Sequence, residues 1–336
     1  MDISILEKYD IQKMYKVYDN WPNIAKSYYE KNFEKVTFTD IDHIVFVGMG
    51  GSGALGDIFS AILSKTDIHV CVVKGYNLPN TVNSNTLVIV TSISGNTDET
   101  LRILDLAYNQ NCKIIVFTSG GKMEQVCLDK NIEFRKIEKN HSPRASFPSF
   151  LYSILNILSP ILPIEKENVL RSIKQLENTQ KEISSNNISE KNIALSLAKW
   201  IKHIPLIYYP WGLQSAAIRF KNSLQENSKT HVIIEDIVES CHNGIVAWEK
   251  KSNVQPILIK GVDDHIKTNE KNKILKEYFQ ENKIEYREII SIEGDILSKI
   301  INFIYILDYC SIYKAVLTET DPTPVKSIKF IKKRLK

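Results

Sequence analysis

Apolar residues recur every three to four positions over about residues 2–19 and 22–34, a spacing that predicts two amphipathic helices, with Pro22 at a helix start. From residue 43 the pattern changes. Short β-branched runs, HIVFV (43–47), IHVCVV (68–73), TLVIVT (86–91) and KIIVFT (113–118), alternate with helical periods at about 53–64, 97–110 and 121–130. Strands that are apolar on both faces and separated by helices predict a parallel sheet covered on both sides. A long helix over about 144–158 closes this half.

Residues 165–190 are polar and rich in Asn, Ser and Lys, and read as a helix followed by a linker. The alternation then resumes: helix 189–202, strand 205–209, helix 212–228, strands 231–234 and 256–260, helix 267–281, strand 284–290, and helices 293–317 and 323–334. The second half repeats the grammar of the first without visible sequence identity. The expected architecture is therefore α/β, with two doubly wound domains, 1–164 and 191–336, whose parallel sheets are flanked by helices. Ligands of such sheets bind beyond the C-terminal strand ends.

Composition narrows the class. The chain has 336 residues, 43% hydrophobic and 24% charged, which suits a soluble globular protein of two domains. The net charge of +4 is mild, and much of the excess sits at the C-terminus in Lys326, Lys329, Lys332, Lys333, Arg334 and Lys336. No basic stripe runs through the body, so a nucleic-acid partner is not expected. The five cysteines are widely spaced with no CxxC pair, which predicts reduced thiols in the cytoplasm rather than disulfides or zinc. The apolar segment 147–164 is interrupted by Pro148, Pro160 and Pro163 and reads as a buried helix; no membrane role is expected.

Two loops carry candidate chemistry. The first strand runs into Gly48-Met49-Gly50-Gly51-Ser52-Gly53, which formally satisfies the GxGxxG dinucleotide fingerprint. That reading also needs an acid at the end of the second strand to hold a ribose. Here the strand ends Val73-Lys74-Gly75. A lysine tolerates a 2′-phosphate, which leaves an NADP-linked oxidoreductase as a weak competitor. The second loop, Ser92-Ile93-Ser94-Gly95-Asn96-Thr97, places three hydroxyls at a helix N-terminus, where free backbone N–H groups and the helix dipole favour an anion. Ser52 offers a fourth. A single Ser or Thr there would be only a cap; the cluster beside a glycine-rich turn suits a small phosphomonoester.

With these residues in view, the chain resembles the sugar isomerase (SIS) domain family, and more narrowly the bifunctional phosphoglucose/phosphomannose isomerases. The resemblance covers nearly the whole chain and rests on GMGGSG (48–53), SISGNTDET (92–100), SPRAS (142–146), LQENSK (224–229), Cys241-His242-Asn243 and DPTPVKSIKFIK (321–332). It implies that Gly51, Ser52, Ser92, Ser94 and Thr97 bind the substrate and its phosphate. It implies further that Arg144 is an active-site arginine, Glu226 the catalytic base, His242 the acid/base for ring opening, and Lys332 a substrate contact, with Lys329 and Lys333 close by. Two departures stand out: Phe147-Pro148 follows the Pro-Arg-Ala stretch where a small residue is usual, and the base lies in QENS where NENA is usual.

The implied activity is metal-independent interconversion of glucose 6-phosphate and mannose 6-phosphate with fructose 6-phosphate, in carbohydrate metabolism. It proceeds through a cis-enediol and needs no cofactor. Ring opening needs a group titrating near neutrality, as imidazole does. Carbon-acid deprotonation needs a positioned carboxylate. The developing enediolate needs a fixed positive charge. The resemblance also implies a homodimer with the active site at the domain junction and the histidine supplied by the partner subunit. A non-catalytic sugar-phosphate-binding regulator is the alternative; it has no reason to hold Glu226, His242 and Lys332 together.

Overall fold

The computed structural model describes residues 1–335. Two helices, α1 (Ile3–Tyr9) and α2 (Met14–Asp19), stand where the periodicity predicts one over 2–19. The break is local: Lys13 takes φ +54°, and the Asp10 carboxylate accepts from the backbone N–H groups of Met14 and Tyr15 at 2.9 and 2.7 Å.

The chain continues through α3 (Trp21–Glu30), β1 (His43–Val47), α4 (Gly51–Leu63), β2 (His69–Val73), β3 (Thr86–Ser92), α5 (Asp98–Tyr108), β4 (Lys113–Thr118), α6 (Gly121–Asp129), β5 (Phe134–Lys136) and α7 (Phe147–Ile157). The five strands pair in parallel in the order β2-β1-β3-β4-β5. The short edge strand β5 is absent from the sequence reading, because three residues that include Arg135 and Lys136 carry no apolar signal. Helix α7 starts three residues later than the 144–158 reading. Pro148 occupies its first turn, where a missing N–H costs nothing, and Arg144 lies in the turn ahead of it.

The remaining elements are α8 (Lys166–Ile183), α9 (Ile193–Trp200), β6 (Ile204–Tyr209), α10 (Gln214–Ser223), a π turn (Leu224–Ser228), β7 (Ile233–Asp236), α11 (Ile237–Ser240), a 3₁₀ turn (Gly244–Glu249), β8 (Val254–Lys260), α12 (Ile266–Glu281), β9 (Arg287–Ile290), α13 (Ile296–Leu317) and α14 (Lys326–Arg334). These strands are also parallel, in the order β7-β6-β8-β9. Two parallel α/β sheets flanked by helices are what the alternation implied.

The chain forms two compact units, one of residues 20–177 and 294–301, the other of residues 1–19, 178–293 and 302 onward. In the first, Val45, Val47, Val88, Val90 and Val116 pack against Ile103, Leu104, Met123 and Cys127. In the second, Leu206, Tyr208 and Leu258 pack with Leu275 and Phe279. The N-terminal helices belong to this second unit through buried phenols: Tyr305 Oη donates to the Tyr18 carbonyl at 2.7 Å and Tyr309 Oη to Asp19 at 2.6 Å. Helix α13 is long and apolar enough to cross a membrane, with a mean hydropathy of 1.4, but 89% of that window is buried inside the protein, so it is a core helix.

Candidate active site

In the order β2-β1-β3-β4-β5, the winding reverses between β1 and β3, so the loops leaving these neighbouring strands open a crevice at the carboxyl edge of the sheet. They are the two loops already singled out. The first is tight: a Cβ on Gly48 would lie 2.7 Å from the Ser52 carbonyl carbon, and one on Gly53 would lie 2.7 Å from the Gly48 oxygen. The second is pinned at Gly95, whose φ of +67° suits glycine and whose Cβ would fall 1.6 Å from the Gly120 oxygen. Ser52 joins the two loops, its Oγ accepting from the Ile93 N–H at 3.2 Å.

The hydroxyls converge. Ser92 Oγ lies 3.4 Å from Thr97 Oγ1 and Ser94 Oγ lies 3.5 Å from it. Thr97 is the N-cap residue of α5 yet makes no side-chain cap bond, so its hydroxyl faces these neighbours instead of closing the helix end. Behind them, Thr118 Oγ1 donates to the Ser92 carbonyl and the Asn96 amide donates to the Ser94 carbonyl, both at 2.9 Å. This is a preformed anion cradle at a helix N-terminus.

The backbone at Arg144 lies along the same edge. A Cβ on Gly51 would meet the Pro143 carbonyl oxygen and the Arg144 Cα at 3.6 Å, so the turn at 142–146 runs alongside the glycine loop. That turn is braced: Ser146 Oγ donates to the Ser142 carbonyl at 2.8 Å and Trp21 Nε1 donates to the Ala145 carbonyl at 3.2 Å. Phe147, the unusual residue after the turn, packs its ring on Trp21 with centroids 5.7 Å apart. Arg144 itself is 5% exposed. Lys74, which a dinucleotide reading would aim at a 2′-phosphate, instead bonds both Asp57 oxygens at 2.6 Å.

Glu226, His242 and Lys332 belong to the other compact unit. Glu226 is half-buried and lies on the π turn that ends α10, where the Lys229 N–H reaches back to the Leu224 carbonyl and Lys229 leaves the helix at φ +58°. Such turns insert a residue and re-aim side chains, and they recur at functional sites. The predicted helix 212–228 runs straight through it, because period counting cannot see one inserted residue. Since β6 and β7 are parallel, this turn lies where the strands of its sheet begin. The rule of strand-end loops therefore describes the cradle but not Glu226.

A buried polar frame holds the turn, and sequence reasoning missed it. Asp308, fully buried on α13, accepts from Arg219 Nε and Nη2 at 3.0 and 2.7 Å and from Ser223 Oγ at 2.5 Å. Asn227, next to Glu226, donates to Ser311 Oγ at 2.8 Å, and Ser311 donates to the Asp308 carbonyl at 2.5 Å. Burial opposes the Arg219 charge, but Asp308 and Tyr18 beside it more than offset this and hold its pKa above the ordinary value. The available signal was an aspartate inside the otherwise apolar ILSKIINFIYILDYCSIYKAVL.

His242 sits exposed on the turn after α11, whose N-cap Asp236 accepts from the Val238 and Glu239 N–H groups at 2.8 and 3.1 Å. Lys332 is exposed on α14, a helix with no buried residue. Among the described residues, no three His, Cys, Asp or Glu side chains converge as a metal-ligand set.

Residues 37–159 match the SIS domain family, and residues 190–335 match the bacterial phospho-glucose isomerase C-terminal SIS domain. A hypothetical protein of Thermus thermophilus superposes with a TM-score of 0.74 at 14% identity, covering 99% of this chain and 93% of that one; the likeness is one of fold. The molecule is thus a tandem arrangement of SIS-type α/β domains. A Caldicellulosiruptor bescii protein named bifunctional phosphoglucose/phosphomannose isomerase is 32% identical, over 96% of this chain and 98% of its own length. One of the same name from Aquifex aeolicus is 28% identical over 97% and 99%. The chain belongs to the bifunctional phosphoglucose/phosphomannose isomerase family.

Proposed function

We propose that the protein interconverts glucose 6-phosphate and mannose 6-phosphate with fructose 6-phosphate by proton transfer, without metal or nicotinamide. The observation that carries this is the convergence of Ser92, Ser94 and Thr97 hydroxyls on the N-terminus of α5, in a chain whose full-length relatives bear the isomerase name. The cradle, with Gly51 and Ser52, takes the phosphate.

His242 opens the ring by moving a proton between the ring oxygen and the hemiacetal hydroxyl. Glu226 then removes the C2 proton of the aldose. The C–H electrons form the C1–C2 double bond, and the C1 carbonyl becomes the enediolate oxygen. The hydroxyl proton on O2 passes to O1, and return of the carbon-bound proton to C1 leaves the carbonyl at C2. Arg144 meets the enediolate charge, where one fixed donor is worth about 3–4 kcal/mol. Lys332 contacts a sugar hydroxyl or the ring oxygen. Removing the C2 proton erases the C2 configuration, so both aldoses share one intermediate.

The reading includes a cytoplasmic homodimer in which His242 serves the partner subunit's substrate. The exposure of His242 and the free state of all five cysteines support it. The test is an assay with fructose 6-phosphate in excess chelator, scoring both aldose products for wild type and Glu226→Gln. The reading expects both aldoses from wild type and a loss of about 10²–10⁴ in the variant. Full activity in the variant removes Glu226 from this role. A wild type that binds hexose 6-phosphates without turning them over is a regulator.

A further inference from the structure

One lysine with no assigned role ties the proposed base to the segment that carries Lys332. Lys229 Nζ donates to the carbonyl oxygens of Glu226 at 2.5 Å, Pro324 at 2.8 Å and Pro322 at 3.4 Å. An ammonium has three hydrogens and no acceptor, so three carbonyls match its capacity. Its own backbone N–H closes the π turn on Leu224. The same residue therefore ends the Glu226 turn and holds the 322–324 strap against it.

The strap leads directly into α14. That helix buries none of its residues, and Val325 at its N-cap offers no side-chain cap. Ahead of it, Pro322 is buried and the Asp321 carboxylate accepts from the Thr323 N–H at 2.9 Å. The π turn is anchored in the body, through Asn227 to Ser311 and Ser228 Oγ to the Leu224 carbonyl, each at 2.8 Å. A fixed turn and an exposed helix meet at Lys229.

We propose that Lys229 is a positioning residue that sets the start of α14, and hence Lys332, relative to the Glu226 turn. This rests on the isomerase reading in which Lys332 touches the sugar. Lys229 touches no substrate. It acts through geometry, and catalytic contacts are sensitive to displacement: an error of about 1 Å costs on the order of 10²-fold.

The experiment is a double-mutant cycle of Lys229→Met and Lys332→Met, with Lys229→Arg as the conservative variant. Each is assayed for kcat and KM with fructose 6-phosphate and for Tm. Lys229→Met is expected to lower kcat/KM by at least about tenfold. Its Tm should fall by less than about 4 °C, because the side chain is exposed and water reaches the ammonium it replaces. Lys229→Arg should recover most of the loss. In the Lys332→Met background, Lys229→Met should cost less than about twofold, since misplacing an absent group changes nothing further.

An unimpaired Lys229→Met overturns the tether. So does a tenfold loss that persists in the Lys332→Met background, while an impaired Lys332→Met leaves the isomerase reading standing. A Lys332→Met protein with wild-type kinetics removes Lys332 from the site and the tether with it.

Discussion

The buried frame behind Glu226 makes a prediction that the structure sizes. Asp308 is fully buried and Arg219 is 2% exposed, and the carboxylate accepts both Arg219 Nη2 at 2.7 Å and Ser223 Oγ at 2.5 Å. Asp308→Ala leaves the guanidinium buried without its counter-charge, a loss worth about 3–5 kcal/mol. Stability of a domain totals about 5–15 kcal/mol, and each kcal/mol moves Tm by about 2–4 °C at this domain size, so Tm should fall by roughly 6–20 °C. The exposed bridge Lys174–Glu177, 66% and 37% exposed, is the control. Glu177→Gln removes a pair worth about 0–1 kcal/mol and should move Tm by less than about 4 °C. The assay is thermal unfolding by near-ultraviolet circular dichroism at matched pH and ionic strength. The double replacement Arg219→Met/Asp308→Leu should recover most of the loss, because the penalty is an unpaired buried charge and not a missing contact. Asp308→Ala shifting Tm no more than Glu177→Gln would refute the reasoning.

Two further outcomes are expected. Thr97→Val removes a hydroxyl from the cradle, and a hydrogen bond to a charged group is worth about 1.5–3 kcal/mol, so KM for hexose 6-phosphates and the inhibition constant of inorganic phosphate should rise roughly ten- to a hundredfold, with Tm held. Equal phosphate inhibition in the variant would move the anion site elsewhere. The pH dependence of stability should carry a term from His43, whose pKa burial and the neighbouring His69 ring, 4.9 Å away, hold below the ordinary value. The unfolded chain takes up this proton first as pH falls, so the contribution is intact above about pH 6.5 and is lost as pH drops through that value towards the folded one. His43→Val should flatten Tm against pH across that window; an unchanged slope counts against the assignment.

Much of this was legible because strand and helix periods are local properties. β1 and β4 fall where the apolar runs place them, and the cradle residues are contiguous in sequence and close in space for that reason. What was hidden is non-local or depends on a single residue. The π turn is one inserted residue at a helix end. The Arg219–Asp308 pair joins positions 89 apart, and Lys229 reaches Pro324 over 95 residues. The late start of α7 depends on Pro148, which departs from the family pattern and in the structure defines a first turn. The resemblance supplied Glu226, and a predicted helix 212–228 running into strand 231–234 of a parallel sheet already places its turn at the edge where the strands begin.

The central claim is that a carbon-bound proton passes through Glu226 on a phosphate-anchored sugar. Its most direct test is extended equilibration of fructose 6-phosphate with the enzyme in D₂O and excess chelator, read by mass spectrometry and proton NMR. Deuterium at C2 of both aldose products and at C1 of the ketose, absent with Glu226→Gln, is the predicted result. Complete isomerisation with no deuterium in any sugar, or equal incorporation by the variant, would contradict it.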